Sequence, residues 1–380
     1  MNRLLSNVDK THIYWLQKAL TLAEERRGFC TPNPAVGAVL VKDQQLLATG
    51  THWMSGAAHA EAVAIQQAPL TQGATLYVTL EPCCHRNKKT PPCTELIIQS
   101  GITQVIYGFS DPNPAVNGQG AMRLHAAGIP CLHYALPEID VFYRSYQFWW
   151  EHRRPFVTAK LAISLDGKIA GPEGKRVQLT SQKANQFTHQ QRRCTDAILT
   201  TIKTIQKDNP LFNVRLKNKT WKKPLYILDS QLALPLQAHI FETTASITVF
   251  HQAIMDKNVD TVTLSHRRAC LMQHGVRCVE MPPVSTGLDL AAILDFIAQV
   301  DGQHDLWVEA GGRCFAAFNH AQLLQRALVY IAPICLGSMA QSALLENGIG
   351  KNLKWYQWLN QMPDIICEFL DESFIIETIL

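Results

Sequence analysis

Three potential metal ligands, His59, Cys83 and Cys93, stand out among the chemically reactive residues of the sequence. His59 and Cys93 each precede a helical pattern, whereas Cys83 follows a strand pattern. One nitrogen and two sulfur donors suit zinc, and three protein ligands leave the fourth tetrahedral position open, as in catalytic rather than structural sites. These residues therefore predict a catalytic zinc site.

Glu61 follows His59 by two residues and points elsewhere on an ideal helix, so it is poorly placed as a further ligand. Zinc lowers the pKa of a bound water from ~15.7 to about 7, and a nearby carboxylate can pass that water's proton to a ring nitrogen and then to departing ammonia. This is the role of the non-ligating Glu in zinc deaminases. The pattern therefore predicts a zinc-dependent deaminase with Glu61 as general acid and base. The rival interpretations are a non-catalytic zinc-stabilised scaffold and a chance grouping of buried residues.

Hydrophobic periodicity predicts the elements that position these residues. In the first half we predict helices over residues 9–27, 60–67 and 94–100 and strands over residues 36–41, 46–49, 75–80 and 104–109. In the second half we predict a helix over residues 181–193 and strands over residues 156–164, 197–201, 225–228, 247–250, 306–310 and 328–333. Strands that alternate with helices indicate an α/β fold in both halves.

The length of 380 residues exceeds the ~250 to 300 at which one core stops growing, so we expect two domains, residues 1–150 and 151–380. Residues 136–155 are rich in aromatic side chains. We predict that they form a helical connector at the end of the first domain, with its aromatic residues packed between the domains. A binding platform is the alternative for these side chains.

Composition limits the partners and the compartment. The net charge of +4 and the lack of a long Lys/Arg block argue against nucleic acid as a partner, and against a deaminase that acts on it. The polar start and the lack of about 18 consecutive apolar residues predict no membrane span and a cytoplasmic location. The eleven cysteines, an odd number in a large chain, indicate reduced thiols apart from the metal ligands.

Several motifs together resemble one family, the bifunctional riboflavin-biosynthesis deaminase–reductases. They are Thr31-Pro-Asn-Pro-Ala-Val-Gly37, His59-Ala-Glu61, Glu81-Pro-Cys83, Thr90-Pro-Pro-Cys93, Asp111-Pro-Asn-Pro114, Asp208-Asn-Pro210, Glu309-Ala-Gly311 and Tyr330-Ile-Ala-Pro333. The resemblance covers nearly the whole chain. It implies a cytidine-deaminase-like α/β/α domain followed by a dihydrofolate-reductase-like α/β domain, and it implies a homo-oligomer.

The resemblance also implies substrates and site residues. In the family, zinc-dependent deamination of 2,5-diamino-6-ribosylamino-4(3H)-pyrimidinone 5′-phosphate precedes reduction of the ribosylamino group to ribitylamino by NADPH. The residues implied for binding this phosphorylated pyrimidine are Asn33, His52, Lys89, Asp111 and Asn113 in the first domain and Arg192, Arg215 and Glu309 in the second. The residues implied for binding NADPH are Thr204, Asp208, Ser230, Gly311, Gly312, Arg313, Cys314, Phe315, Ala316 and Ala317.

The loop between Cys83 and Cys93 departs from the family because it has one residue more than is usual. Cys84 as the ligand restores the usual spacing, whereas Cys83 directly follows the Glu-Pro pair as family ligands do. We favour Cys83 and keep Cys84 as the alternative.

The second domain departs from the family at four positions, one of which is Phe212 in place of a usual Leu. Arg176 and Gln178 stand where Ser and Trp are common, and Ile334 replaces a usual Lys. Gln178 cannot stack on a cofactor as an indole ring does. We therefore predict a reductase that is retained in weakened form. The alternative is an active deaminase whose second domain is a weak or inactive reductase that serves as a scaffold.

Overall fold

A computed structural model of the chain describes residues 6–84, 91–253, 261–284, 287–343, 364–370 and 373–379. The chain divides into two units, Met1–Arg154 and Pro155–Leu380. Both units mix helices with strands, as the α/β prediction requires. Within the described ranges no helix is long and apolar enough to span a membrane.

The described elements of the first unit follow the predicted order. Its helices are α1 (Asn7–Glu24), α2 (Ala60–Gln67), α3 (Cys93–Gln99), α4 (Gln119–Ala126) and α5 (Pro137–His152). Its strands are β1 (Gly37–Lys42), β2 (Gln45–Thr51), β3 (Thr75–Val78), β4 (Gln104–Tyr107) and β5 (Cys131–His133). The strands form one sheet in the order β2-β1-β3-β4-β5, with β3, β4 and β5 parallel.

Alternating side chains of this sheet enter two separate cores, which makes the unit an α/β/α sandwich. Along β1, Val39 and Val41 pack with α1 and α5, whereas Ala38 and Leu40 pack with α2, α3 and α4. A strand presents successive side chains to opposite faces, so an uninterrupted apolar run fits a strand covered on both sides. Because α2 packs on the sheet that contains β3, the sheet fixes the start of α2 and the end of β3 relative to each other.

The aromatic segment forms helix α5, and its side chains lie within the first unit. Phe142, Tyr143 and Tyr146 are buried with α1 in the core on that side of the sheet. The helix ends at Arg153, whose backbone is left-handed at φ 56° and whose N–H donates to the Trp149 carbonyl. The three buried aromatic side chains therefore belong to the core of the first unit, and the packing between domains that we predicted for the segment stays a prediction.

The second unit contains more strands. Its described helices are α6 (Gln182–Cys194), α7 (Ile202–Asp208), α8 (Ile240–Thr243), α9 (Thr261–Gln273), α10 (Leu290–Gln299) and α11 (Gly312–His320). Its described strands are β6 (Phe156–Ser164), β7 (Lys168–Pro172), β8 (Ala197–Thr201), β9 (Val214–Leu216), β10 (Lys219–Trp221), β11 (Pro224–Leu228), β12 (Ser246–Gln252), β13 (Arg277–Met281), β14 (Pro283–Val284), β15 (Gly287–Leu288), β16 (Asp305–Glu309), β17 (Arg326–Ala332), β18 (Ala340–Ser342), β19 (Asp364–Leu370) and β20 (Ser373–Ile379).

The main sheet of this unit has the order β13-β12-β11-β8-β16-β6-β17-β20-β19. All strand pairs from β13 to β17 are parallel, and β20 is antiparallel to β17 and β19. In open parallel sheets, ligands bind outside the carboxyl ends of the strands. The carboxyl ends of the neighbouring strands β11, β8 and β16 are followed by Ser230, Thr204 and Gly311, so the topology gathers these residues at one edge.

Candidate active sites

The three predicted zinc ligands converge in the first unit. His59 directly precedes α2, Cys83 follows β3, and Cys93 begins α3. Their donor atoms all lie within 4.8 Å of one another, with His59 Nδ1 3.2 Å from Cys93 Sγ and 3.5 Å from Cys83 Sγ. Tetrahedral zinc with Zn–S of ~2.3 Å and Zn–N of ~2.1 Å requires nitrogen–sulfur separations of about 3.6 Å. The donor set therefore fits Zn²⁺ in both chemistry and spacing.

The surroundings favour the thiolate form at Cys83. A hydrogen bond from the Cys93 thiol lowers the pKa of Cys83, and His59 lowers it further, against the opposing effect of burial. The Cys93 backbone N–H, at the start of α3, also lies 3.4 Å from Cys83 Sγ. Metal ligation requires the thiolate, so this environment prepares Cys83 to bind a cation.

Cys84 is separate from this cluster. Its half-buried Sγ lies 3.7 Å from the Ala115 carbonyl oxygen. The structure thus brings Cys83, and not Cys84, to the other two donors.

Glu61 lies in the first turn of α2, outside the ligand cluster but beside it. Its side chain is buried, with 4% exposure, and burial raises the pKa of its carboxyl. It lines the same cavity as His59 and Cys83. A buried carboxyl next to the ligand cluster is placed to take up and release protons in the cavity.

This cavity, which we call the deaminase cavity, has a volume of about 250 Å³. It is lined by Pro32, Asn33, Pro34, Val36, His52, His59, Glu61, Leu80, Glu81, Cys83, Asp111, Asn113, Tyr146, Trp149 and Trp150. Four of the five residues implied for binding the pyrimidine in this domain therefore line one cavity with His59 and Cys83. The fifth, Lys89, lies outside the described residues.

Asn33 and His52 hold each other in a defined orientation. His52 Nδ1 lies 3.1 Å from the Ala58 carbonyl oxygen, so this nitrogen carries the proton and donates. His52 Nε2 is then an acceptor, and it receives a hydrogen bond from Asn33 Nδ2 at 3.2 Å. The Asn33 carboxamide is thereby oriented with its amino group toward His52.

Asp111 accepts hydrogen bonds from two directions. Its Oδ1 receives the backbone N–H of Asn113 at 2.9 Å and the Tyr146 hydroxyl at 3.2 Å. The Asn113 side chain accepts in turn from the Ala115 N–H at 3.0 Å. These bonds fold the loop after β4 so that both polar side chains line the deaminase cavity.

Sequence reasoning gave no role to Glu81. Both of its carboxylate oxygens accept backbone N–H bonds, from Gly118 at 3.0 Å and from Ala121 at 3.2 Å, at the start of α4. Gly120 packs on the same segment so closely that a Cβ atom there would lie 2.1 Å from the Pro82 oxygen. Glu81 therefore fixes α4 against the strand end that carries Cys83.

Tyr146, Trp149 and Trp150 were also missed as site residues. Their aromatic character was visible in the sequence, but no spacing rule related them to His59 or Glu61. The cavity position supports the binding-platform alternative for this part of α5.

A second cluster of predicted residues forms in the other unit around Glu309, the last residue of β16. Arg192 on α6 binds its carboxylate through two hydrogen bonds, of 2.5 and 2.7 Å, and the Trp307 indole N–H donates a third at 2.5 Å. Burial opposes ionisation, but the charge and hydrogen bonds of Arg192, together with Lys160, lower the pKa of Glu309 to about 2. Glu309 is thus an ionised carboxylate in a mostly buried position, with 14% of its side chain exposed.

Arg215 joins this cluster through Asn213. The Asn213 carbonyl accepts from Arg192 at 3.1 Å, and its side-chain oxygen accepts from Arg215. His189 Nδ1 accepts from the Arg215 backbone N–H at 3.2 Å, and burial with the two arginine charges lowers the pKa of His189 to about 4. The result is two arginines held side by side next to one carboxylate, an arrangement that suits a phosphorylated sugar.

The predicted cofactor residues occupy the carboxyl edge described above, with Thr204 and Asp208 on α7, Ser230 after β11, and the remainder at the start of α11. A Cβ atom added at Gly311 meets nothing within 4 Å, so the backbone there is open to a ligand phosphate at the helix start. Gly312 differs, because a Cβ atom there would lie 1.5 Å from the Ala343 oxygen. Its small size is needed for packing within the chain. Phe315 is 4% exposed and faces the core, which leaves its backbone for any cofactor contact.

Comparison with known proteins identifies both units. Residues 9–109 match the cytidine and deoxycytidylate deaminase zinc-binding region, and residues 155–367 match the RibD C-terminal domain. The riboflavin biosynthesis protein RibD of Aquifex aeolicus is 35% identical over 337 residues, which cover 88% of this chain and 89% of the relative. The chain belongs to the RibD family. The Escherichia coli RibD is 32% identical over 342 residues, which cover 89% of this chain and 92% of the relative.

Solved RibD structures agree over the full length. A structure of Acinetobacter baumannii RibD has a TM-score of 0.80 at 29% identity and covers 98% of this chain and 99% of its own. A deaminase and reductase from Thermotoga maritima has a TM-score of 0.81 at 29% identity, with the same coverage of both chains.

These findings confirm the predicted family and fold. The chain is a bifunctional riboflavin-biosynthesis enzyme with a cytidine-deaminase-like domain and a dihydrofolate-reductase-like domain. It uses Zn²⁺ and NADPH. Nothing in the comparisons favours a second domain that serves only as a scaffold.

Proposed function

We propose that the first unit deaminates 2,5-diamino-6-ribosylamino-4(3H)-pyrimidinone 5′-phosphate and that the second unit reduces the resulting ribosylamino group. The similar Thermotoga maritima protein is described as a diaminohydroxyphosphoribosylaminopyrimidine deaminase and 5-amino-6-(5-phosphoribosylamino)uracil reductase. The observation that carries the proposal is the convergence of the His59, Cys83 and Cys93 donor atoms next to Glu61, which lines one cavity together with His59 and Cys83.

In the first unit, His59, Cys83 and Cys93 hold the zinc, which when bound activates water for attack on the heterocycle. Glu61 would move the two protons of the attacking water in turn, the first to the ring nitrogen and the second to the departing ammonia. Its buried position in the cavity lining beside His59 and Cys83 suits both transfers.

Asn33 and Asp111 recognise the edge of the heterocycle. An amino-substituted pyrimidinone presents several N–H donors, and the cavity offers carboxylate and carboxamide oxygens as acceptors. Hydrogen bonds from His52 to Ala58 and from Tyr146 to Asp111 keep these groups in place before the substrate binds. Lys89 is proposed to bind the phosphate.

In the second unit, Arg192, Arg215 and Glu309 bind the phosphorylated sugar, and the carboxyl edge with Thr204, Ser230 and Gly311 binds NADPH. The cofactor supplies the hydride. The protein's task is to orient the sugar carbon toward it, for which the mutually bonded Arg192 and Glu309 give a rigid frame.

Two further expectations from the sequence stay predictions, namely a homo-oligomeric assembly and a cytoplasmic location. Size measurement by light scattering tests the first, and fractionation of cells that express the chain tests the second.

The deaminase assignment is tested by Glu61→Gln. General acid and base catalysis contributes roughly 10² to 10⁴, so we expect ammonia release to fall by at least that factor while zinc content stays normal. The exposed Glu138 in the first turn of α5 is the matched control, and Glu138→Gln should retain full activity. The Glu61→Gln protein should still oxidise NADPH when it is given the deaminated product. Near-normal ammonia release from zinc-replete Glu61→Gln would overturn the assignment.

A further inference from the structure

The last turn of α5 brings two large rings to the deaminase cavity. Trp149 and Trp150 follow Tyr146 by three and four residues, so they continue its face of the helix beyond the buried core. Both are half-buried and line the cavity together with His59 and Glu61. Phe148, on the same turn, is absent from the cavity lining and packs on His152 at 4.3 Å between ring centroids.

The two indoles are held in fixed orientations. Their rings are perpendicular at 5.1 Å, and Trp150 is also perpendicular to Tyr146 at 6.5 Å. The Arg153 guanidinium lies 4.3 Å from the Trp150 ring centroid and 5.4 Å from that of Trp149. A ring confined by a neighbouring ring and a guanidinium has already lost its rotamer freedom, so a ligand that packs on it pays little further entropy.

The two indoles are the largest rings in the cavity lining. The other rings are the phenol of Tyr146, which bonds Asp111, and the imidazoles of His52, which bonds Asn33, and His59, which belongs to the donor cluster. The polar groups of the lining, among them Asn33 and Asp111, can read the edge of a planar ring through hydrogen bonds. Packing against the faces of that ring is therefore left mainly to the two indoles. Aromatic rings bind flat heterocycles by stacking, which is worth about 1 to 3 kcal/mol per base in single-stranded nucleic-acid complexes.

We propose that Trp149 and Trp150 are specificity-determining residues of the deaminase, which pack against the heterocycle and select planar, conjugated substrates. This inference rests on the proposed function of the first unit. It adds an aromatic wall to a site that the sequence motifs define only through its zinc ligands, Glu61 and polar groups.

The test compares Trp149→Leu, Trp150→Leu and the double variant with Phe148→Leu, in the full-length zinc-replete protein. The substrate is the diaminopyrimidinone ribosylamino 5′-phosphate. We expect each tryptophan variant to raise KM for ammonia release about tenfold, with zinc content and NADPH oxidation on the deaminated product unchanged. Phe148→Leu should change KM less than twofold, and Trp150→Phe should recover most of the affinity.

Direct binding separates this inference from the proposed function. Calorimetry with the same substrate on Glu61→Gln and on Glu61→Gln/Trp150→Leu should give dissociation constants that differ about tenfold. If the wild type releases ammonia but the tryptophan variants keep KM and dissociation constants within twofold, the aromatic wall is refuted and the proposed function stands. If neither the wild type nor Glu61→Gln acts on or binds the substrate, both fall.

Discussion

The Tyr146 hydroxyl donates a hydrogen bond to Oδ1 of Asp111 at 3.2 Å, which joins helix α5 to the loop after β4. Both residues are buried and line the deaminase cavity. Burial and the Asp111 charge raise the pKa of Tyr146 well above its usual value, so the phenol keeps its proton and remains a donor. The orientation of Asp111 therefore depends on a side chain from a different element.

Removing this hydroxyl should weaken substrate binding. We expect Tyr146→Phe to raise KM for ammonia release about tenfold, because a hydrogen bond to a charged group is worth about 1.5 to 3 kcal/mol and 1.4 kcal/mol corresponds to a factor of ten. The turnover number should fall less, since Glu61 and the zinc ligands are untouched. Steady-state kinetics across a range of substrate concentrations separates the two parameters.

Tyr143 is the matched control for this experiment. It lies one turn earlier on α5, and its hydroxyl bonds Thr79 Oγ1 at 2.7 Å and the Ala35 carbonyl at 2.9 Å, away from the cavity lining. Tyr143→Phe should lower the melting temperature and leave KM unchanged. An equal rise of KM in both variants would mean that Tyr146 acts only through general stability.

The identity of the second zinc ligand gives another prediction. Cys83 Sγ lies in the donor cluster, whereas Cys84 Sγ faces the Ala115 carbonyl. We therefore expect Cys83→Ser to lose most of its zinc on purification and Cys84→Ser to retain one zinc per chain. Metal analysis of both proteins decides the question, and the opposite pattern would shift the ligand by one residue.

The grouping of His59, Cys83 and Cys93 was predictable because short motifs carry these residues. His59 and Glu61 are two residues apart, and Glu81-Pro82-Cys83 is contiguous, so local spacing alone indicated the chemistry. The alternation of apolar runs likewise predicted β6 and β8 with the bounds that the structure has. Backbone periodicity and local motifs are both properties of neighbouring residues, which a single sequence contains.

Contacts between distant segments were not predictable in the same way. Tyr146 and Asp111 are separated by 35 positions, and Arg192 and Glu309 by 117. Spacing along the chain does not place either pair at hydrogen-bond distance, because that depends on how α5 and α6 pack on their sheets. The same limit explains why the sequence left a binding platform only as the alternative for the aromatic residues of α5, three of which line the deaminase cavity.

The pair of Arg192 and Glu309 should make stability depend on acidic pH. The pKa of Glu309 is about 2 in the folded protein, below its ordinary value of 4.5. A carboxyl with a lowered folded pKa contributes stability that is fully present above 4.5 and is lost as the pH falls toward 2. A shift of this size corresponds to about 3 kcal/mol for the buried pair.

Glu309→Gln should therefore lower the unfolding free energy of the second unit by about 3 kcal/mol at pH 7, because it leaves the Arg192 charge buried without its partner. The difference from the wild type should shrink between pH 4.5 and pH 3. Urea unfolding at pH 7, 4.5 and 3 measures it. A difference that is independent of pH would show that lost packing, and not the lost charge, causes the destabilisation.

The expected weakness of the reductase depends on the contacts that Gln178 makes in place of a tryptophan. Its side chain is exposed and donates to the Thr180 carbonyl at 2.8 Å and to the Thr180 hydroxyl at 3.2 Å, contacts within one loop. Family resemblance places a tryptophan here, beside the cofactor. An added aromatic contact is worth about 0.5 to 1.5 kcal/mol beyond its buried area, so Gln178→Trp should tighten NADPH binding by up to about tenfold.

Calorimetry with NADPH tests this prediction, and Gln178→Leu is the matched control because it loses the same loop hydrogen bonds without gaining a ring. The groups that we propose to hold the phosphates and sugar, among them Arg215, Glu309 and the open backbone at Gly311, are present in every variant. The wild type should therefore bind NADPH measurably, with Gln178→Leu slightly weaker and Gln178→Trp tighter. If Gln178→Trp and Gln178→Leu bind NADPH equally well, position 178 does not contact the cofactor. The missing indole ring would then not explain a weakened reductase.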